Sequence, residues 1–316
     1  ANQLDLAILP LFSMAQFVTE LIIFKDMPDR IGPPSEPGSL PVLPPFTKDG
    51  PYTHPNTTGV CDDKAQLDRF KDIASTVKEN ANMEGVLVTI QLVPYEVVCL
   101  AHPLVNSEDF PEGVTMDSTG AIGLDLLTDP SRRFYGETVV KSEEIIIIGP
   151  LALRECQDGK ECVSLVERAI IAALPVVSED HIIEIDGKVY PRWGSIEVII
   201  NWNALIERSG IFERFAEQGK AFRLTRTDRI IDQETNEETL DVAVHAESPY
   251  FDPVNLATVT TKLDATNNEW EMTIAYEATY DDWSGWAIAA TLLLSFSLAA
   301  MALTIMVQKH SYQRIK

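Results

Sequence analysis

IIIIGPLAL, residues 145–153, and VERAIIAALPVV, residues 166–177, are the stretches on which the fold turns. The first is a short apolar run without helical spacing, which reads as a buried strand stopped by Gly149-Pro150. The second reads as its hairpin partner. KVYPRWGSIEVIINWNALIERSG (188–210) then gives a strand through Ile196–Ile200 and a helix capped by Asn201 or Asn203. Working back along the chain, IGLDLLTDPSRRFYGETVV (122–140) begins as an Asp-rich turn and continues as a short helix. VLVTIQLVP (86–94) and EVVCLAHPL (96–104) are β-rich runs. Residues 62–82 have Asp62 and Asp63 at the start and Leu67, Phe70, Ile73 and Val77 on one face, the pattern of an amphipathic helix.

Working forward, FRLTRTDRI (222–230) and TLDVAVHAES (239–248) flank a polar turn, and 256–263 and 270–280 make two further strand-like runs. Helix, strands, helix, hairpin, strands is the order of PAS-like α+β modules, not of a βαβ parallel sheet. Two such modules fit, at roughly 84–208 and 215–281. With their flanks they occupy 62–214, placed distal to a membrane, and 215–283, placed proximal to it. Ahead of them, 28–61 is a Pro-rich loop. Residues 4–24 are apolar with only Asp5 and Glu20 charged, and Leu4, Ile8, Leu11, Phe12, Phe17, Leu21 and Ile22 approximate helical spacing. The expectation for 1–27 is a long stalk helix, bent or interrupted early by Pro10, with a membrane span or the end of one as the alternative.

Trp286–Val307 is a run of 22 residues without a charge. As a helix it is about 33 Å long, enough for a bilayer core. Trp283 and Trp286 stand at its start and Lys309, His310, Arg314 and Lys316 follow it. The positive-inside rule then expects one transmembrane helix over 284–307, residues 1–283 extracytoplasmic and 308–316 cytosolic. The chain begins at Ala1 with no visible signal peptide. The expectation is an earlier membrane segment upstream and an output domain downstream.

Residues 1–283 hold 22 Lys/Arg against 48 Asp/Glu. Such a surface argues against nucleic acid and anionic lipid as partners. Cys61, Cys99, Cys156 and Cys162 suggest disulfides in an oxidising compartment. Cys156 and Cys162 flank QDGKE, where a bridge closes a hairpin tip, and Cys61–Cys99 then follows by elimination. The sequence leaves the other two pairings open. Asn56-Thr57-Thr58 is an N-glycosylation sequon in a polar loop.

No catalytic motif, metal site or cofactor site is legible. His54, His102, His181 and His245 are scattered singly. Glu143-Glu144 and Glu237-Glu238 are sequence neighbours, which in a strand face opposite ways and make poor acid–base pairs. The acidic run 228–241 lacks the calcium-loop spacing. What a sensor needs, an apolar pocket with a few placed polar groups, is offered instead by 145–200. There Gly149 and Gly194 permit close approach of a ligand or a backbone, or serve as bulges and turns.

Gly149-Pro150-Leu151, LPVV (174–177), RWGSIEVIINWNALIERSGIF (192–212) and FRLTRTD (222–228), taken in order, resemble the CHASE domain. LAILPLFSMAQFVTELIIF and the GVCDD–AHPL stretch are similar to algal versions. CHASE domains are extracellular sensory modules flanked by membrane helices, ahead of histidine kinases or nucleotide cyclases, and the plant cytokinin receptors belong to them. The resemblance covers most of 60–230. It implies a stalk helix followed by two PAS-like modules, the distal one binding the ligand. By order and spacing it implies Asp129 as the contact to a ligand ring and Ile148, Gly149, Pro150 and Leu151 as a strand wall. Ala173 stands where the receptors carry a Thr. A hydrogen-bonding hydroxyl is thereby lost, and the cytokinin ligand does not carry over.

The reading from sequence is a ligand-sensing ectodomain of a homodimeric receptor, not an enzyme. Its ligand is an unidentified small molecule or peptide, and its contacts include the lipid bilayer. Expected ligand-binding residues are Asp129, Ile148, Gly149, Pro150, Leu151, Ala173 and Gly194. The alternative is an accessory membrane subunit that uses the same fold for protein contacts. A third reading, an ecto-enzyme, requires clustered perturbed carboxylates or histidines in a cleft.

Overall fold

The computed structural model describes residues 3–21, 29–31, 57, 59–106, 116–129, 132–155, 163–231, 238–265 and 268–277. In chain order the elements are α1 (Gln3–Leu21), β1 (Arg30–Ile31), α2 (Lys64–Ala81), β2 (Leu87–Pro94), β3 (Leu100–His102), β4 (Val105–Asn106) and β5 (Met116–Asp117). After a short 3-10 turn come α3 (Arg133–Lys141), β6 (Ile146–Glu155), β7 (Val163–Ile185), β8 (Lys188–Asn201), α4 (Trp202–Ser209) and α5 (Ile211–Glu217). The last four strands are β9 (Lys220–Ile231), β10 (Glu238–Glu247), β11 (Ala257–Ala265) and β12 (Asn268–Tyr276).

Two larger sheets result. The first runs β1-β7-β8-β2-β3 with β6 also on β7, and the second runs β10-β9-β12-β11. Within the first sheet only β1 is parallel to its neighbour. Register decides which residues share a face, because antiparallel partners point the same way and the side-chain period is two. Ile90, Leu92, Ile170, Ala172, Ile196, Val198 and Ile200 fall on one face. They join Leu11, Met14, Val18, Leu67, Phe70 and Ala74 of α1 and α2 in the main core. Leu11, Met14 and Val18 are fully buried, and removing each from water contributes about 1.5–3 kcal/mol.

α2 begins where its sequence says it should. The Asp63 side chain accepts from the Gln66 amide at 3.2 Å, and Asn82 closes the helix in the left-handed region. Asn201 caps α4 in the same way, accepting from the Ala204 amide at 3.2 Å.

The expected architecture needs correcting at both ends. α1 is 19 residues long and is not a long stalk. Its apolar side is folded onto α2 and the first sheet, with the Phe17 and Phe70 rings 6.5 Å apart. Pro10 lies inside this helix without ending it. An apolar stripe of this length is satisfied by core as well as by lipid, and here protein covers it. Among the described residues no helix is long and apolar enough to cross a membrane, so neither the single-pass architecture nor the location built on it is upheld. The stretch 284–307 lies outside the described residues.

Other readings shift too. β6 continues through Gly149-Pro150 to Glu155, with a register shift between Ile148 and Leu151, where a stop was expected. Gly149 has φ +103°, which an L side chain rarely adopts, and this lets the strand bulge and resume. Of 96–104 only Leu100–His102 is strand, because Pro94–Val97 forms a tight turn. The Pro-rich 28–61 segment contains an element that was not expected, β1, which pairs with Ile183 and Glu184 of β7. The polar tip of the β9–β10 hairpin lies outside the described residues.

Cys61 is bonded to Cys99, with Cα atoms 5.4 Å apart. The bridge ties the segment before α2 to the start of β3. Cys156, Cys162 and Asn56 lie outside the described residues.

Candidate functional site

The second face of the first sheet differs from the first. Register places Gln91, Glu197, Ala173 and Ile146 in one row across β2, β8, β7 and β6. Beside it runs a row of Thr89, Ile199, Ile171 and Ile148. Ile146, Ile148 and Ala173 pack with Val139 of α3, flanked by Tyr135 and Ile171, in a core separate from the main one. α3 is the lid over this face. Arg192 on β8 holds the end of the lid: its Nε donates to the Val140 carbonyl at 3.2 Å and an Nη to the Ser142 carbonyl at 2.8 Å. Those carbonyls belong to the last turn of α3 and to its C-cap Ser142, where a cation is favoured by the unpaired C=O groups and the helix dipole.

Under the lid the sheet carries charge. Glu197 is 3 % exposed and Glu96 is fully buried. Burial pushes the Glu197 carboxyl up to about 7, against the pull of Arg132 and of the nearby Ser195 hydroxyl. Glu96 is raised well above the usual carboxylate range, first by burial and then by the Glu197 charge, with Arg30 and Ser195 opposing. Both oxygens of Glu96 and the Oγ of Ser195 lack a well-formed hydrogen bond among the described residues. The Ser195 hydroxyl is near enough to influence both carboxyls, and its single proton can serve only one of them.

The position of Glu96 follows from its turn. Tyr95 and Glu96 have φ of 51° and 61°, two successive left-handed residues that are not glycine, and the Val97 amide closes the turn on the Pro94 carbonyl at 3.0 Å. Such backbone costs about 1–2 kcal/mol per residue. Gly194 is what permits it. A Cβ there would stand 2.2 Å from the Val93 carbonyl oxygen and 2.7 Å from Tyr95 N, and its φ is +145°. The close approach at Gly194 is thus to the backbone of this turn, whose Tyr95 amide donates to the Trp193 carbonyl at 2.9 Å.

Arg30 locks the turn from the other side. Its Nη1 donates to the Tyr95 carbonyl at 2.5 Å, and its Nη2 reaches both Asp125 oxygens at 2.8 and 2.7 Å, in an ion pair 2 % and 4 % exposed. Asp125 also accepts from the Leu127 and Thr128 amides. This pair is well satisfied; the neighbouring glutamates are not.

Of the residues expected from sequence, the structure brings Ile148 and Ala173 together on the α3 face, one strand away from Glu197 in the case of Ala173. Gly149 and Pro150 are buried in the β6 bulge, and Leu151 continues that strand opposite Ala169. Asp129 lies partly buried in the turn before α3, 3.9 Å from Arg132. The described histidines do not converge: His102 Nε2 meets Ser75 Oγ at 2.7 Å and His181 Nδ1 meets Ser178 Oγ at 2.9 Å, while His54 lies outside the described residues. Among the described residues no group of His, Cys, Asp and Glu is placed to hold a metal. Sequence reasoning missed Glu96, Glu197 and Arg30. The signal available for Glu197 was a charge inside SIEVII, a run otherwise suited to a buried strand.

α4 packs with α1 in the main core, on the other face of the first sheet from α3, and there it meets the second sheet. Trp202 Nε1 donates to the His245 carbonyl at 2.8 Å, and Arg168, next to Ala169 on β7, donates to the same carbonyl at 2.6 Å. The Trp202 and Trp270 rings lie 5.5 Å apart.

No protein-family model matches the chain, and no curated protein is a significant match to it.

Proposed function

We propose that this chain is a ligand-sensing module of the CHASE kind, which holds a small molecule on the α3 face of the first sheet and passes occupancy across β7 and β8 to α4 and the second sheet on the other face. The observation that carries this reading is the pair Glu96 and Glu197: two carboxyls 0 % and 3 % exposed, with both Glu96 oxygens unpartnered among the described residues. A buried carboxylate without partners costs several kcal/mol, and a buried, strongly perturbed carboxyl of this kind is a candidate functional group. Ile146, Ile148, Ala173, Val139 and Tyr135 supply the apolar wall. The CHASE-like motifs add to this, since Ile148 and Ala173 are among the residues that the resemblance implies for the ligand.

The experiment is an NMR or hydrogen-exchange screen of a metabolite library against the full chain. The expected result is a ligand that perturbs α3, β6 and β8, with loss of the response in Glu197→Gln. Ligands that perturb only other surfaces sink the reading.

A second reading has one observation in its favour. A carboxyl held near neutrality is also what a general acid needs. A turnover assay on any ligand found separates the two, because a sensor returns its ligand unchanged.

A further inference from the structure

The polar atoms under α3 define what a ligand there must supply, an argument that rests on the sensing reading above. Three features converge. The site has acceptors in excess of donors: four carboxylate oxygens on Glu96 and Glu197 against the Ser195 hydroxyl and the Gln91 amide beside Glu197 on β2. The nearby cations are engaged elsewhere. Arg30 spends its donors on Asp125 and on the Tyr95 carbonyl, and Arg132 is 40 % exposed beside Asp129. On the β2 side stand the buried Gln91, the register partner of Glu197 there, and Thr89, and the remaining wall, Ile146, Ile148, Ala173, Val139 and the Tyr135 ring, is largely hydrocarbon. Ala173 is the register partner of Glu197, so only a methyl group stands next to the carboxyl on that side.

An anion is repelled by this arrangement, and a neutral acceptor leaves the carboxyls as they are. We propose that the α3 face takes a small organic cation rich in N–H donors, an amidinium or a primary ammonium, bound by Glu197 and Glu96. Below about pH 7 the Glu197 carboxyl carries a proton. The cation replaces that proton, which leaves to solvent, so the charge under the lid stays balanced. Glu197 and Glu96 are the charged groups that face the ligand from β8 and from the β2 turn. Arg30 of β1, Asp125 and Arg132 surround them. Charge-assisted hydrogen bonds of this kind are the strong ones, and bidentate geometry adds selectivity.

The test uses isosteres on the full chain: acetamidine against acetamide and acetate, and propylammonium against propanol. Titration calorimetry is run at about 0.15 M salt, where exposed acidic groups are screened beyond about 8 Å, in two buffers of different ionisation heat. The cations are expected to bind at least about tenfold more tightly than their neutral isosteres. At about pH 6 their binding should release up to about one proton per site, and α3 and β8 amides should shift. Glu197→Gln and Glu96→Gln should each lose that preference while remaining folded by circular dichroism. Equal binding of acetamide and acetamidine on the α3 face overturns the cation class and leaves the sensing reading standing. So does a library ligand on that face with no response to either cation. Cation binding that survives both substitutions also overturns the proposal, because the cation then sits on the acidic surface. No response on the α3 face to the probes or to the library removes both readings.

Discussion

Replacing Glu197 by Gln isolates the electrostatic cost of the buried pair. The carboxyl titrates at about 7 in the folded chain against 4.5 ordinarily. At about 1.4 kcal/mol per pH unit this difference corresponds to about 3 kcal/mol. The sign follows from linkage. Below 4.5 the group is protonated whether the chain is folded or not, and no penalty applies. As pH rises from there the unfolded chain ionises first, so stability falls until the folded carboxyl also ionises, near 7. Above that it levels off at its lowest value. The raised titration of Glu96 works in the same direction. The substituted glutamine side chain keeps the shape and cannot ionise, and its amide can donate to the unpartnered Glu96 oxygens. Urea unfolding of wild type and Glu197→Gln, followed by tryptophan fluorescence between about pH 4.5 and 8, should show curves that converge at the acid end. At the alkaline end the variant should be more stable by about 3 kcal/mol. Parallel curves, or a variant less stable than wild type at alkaline pH, refute the placement of Glu197 in a dry and poorly compensated environment.

Gly194→Ala places a Cβ 2.2 Å from the Val93 oxygen in a backbone with φ +145°; a loss of about 3 kcal/mol or more is expected in thermal or urea unfolding. Arg192→Leu removes the donors to the Val140 and Ser142 carbonyls, which should cost about 2–3 kcal/mol and raise hydrogen exchange in α3 ahead of the sheet. Cys61→Ser with Cys99→Ser opens a loop of 38 residues; in the chain-entropy account the cost is about 4 kcal/mol, read as a lowered urea midpoint against the oxidised wild type.

Much of the local structure was legible. The helix at 62–82 and its Asp63 cap, the β6–β7 hairpin, the strand through Ile196–Ile200, the Asn201 cap and the helix before Lys141 depend on periodicity and on side-chain-to-backbone bonds within a few residues. α1 shows the limit of that reading. Its apolar spacing says that one side must leave water, and says nothing of whether lipid, a partner or its own sheet covers it. The structure answers with α2 and the first sheet. β1 was hidden because two residues of strand carry no period, and Arg30 in a proline-rich segment gave no hint of an ion pair 2 % exposed.

The candidate site was less legible than the fold. Glu96 and Glu197 are far apart in the chain, and adjacent glutamates such as Glu143-Glu144 drew attention for proximity in sequence alone. What unites the pair is the β2–β8 register and a left-handed turn that Gly194 makes possible, both of which are long-range.

By itself, then, the sequence determined most of the longer helix and strand segments, the caps that start two of the helices, and a strongly acidic composition. Those properties arise from interactions over a few residues or from composition. Only the tertiary structure decided which apolar faces meet, that α1 is core, that Cys61 finds Cys99, and that two glutamates share one dry place beside Ser195. Each of these depends on strand register and chain crossing, and a shift of one residue would turn Glu197 from the α3 face to the opposite one.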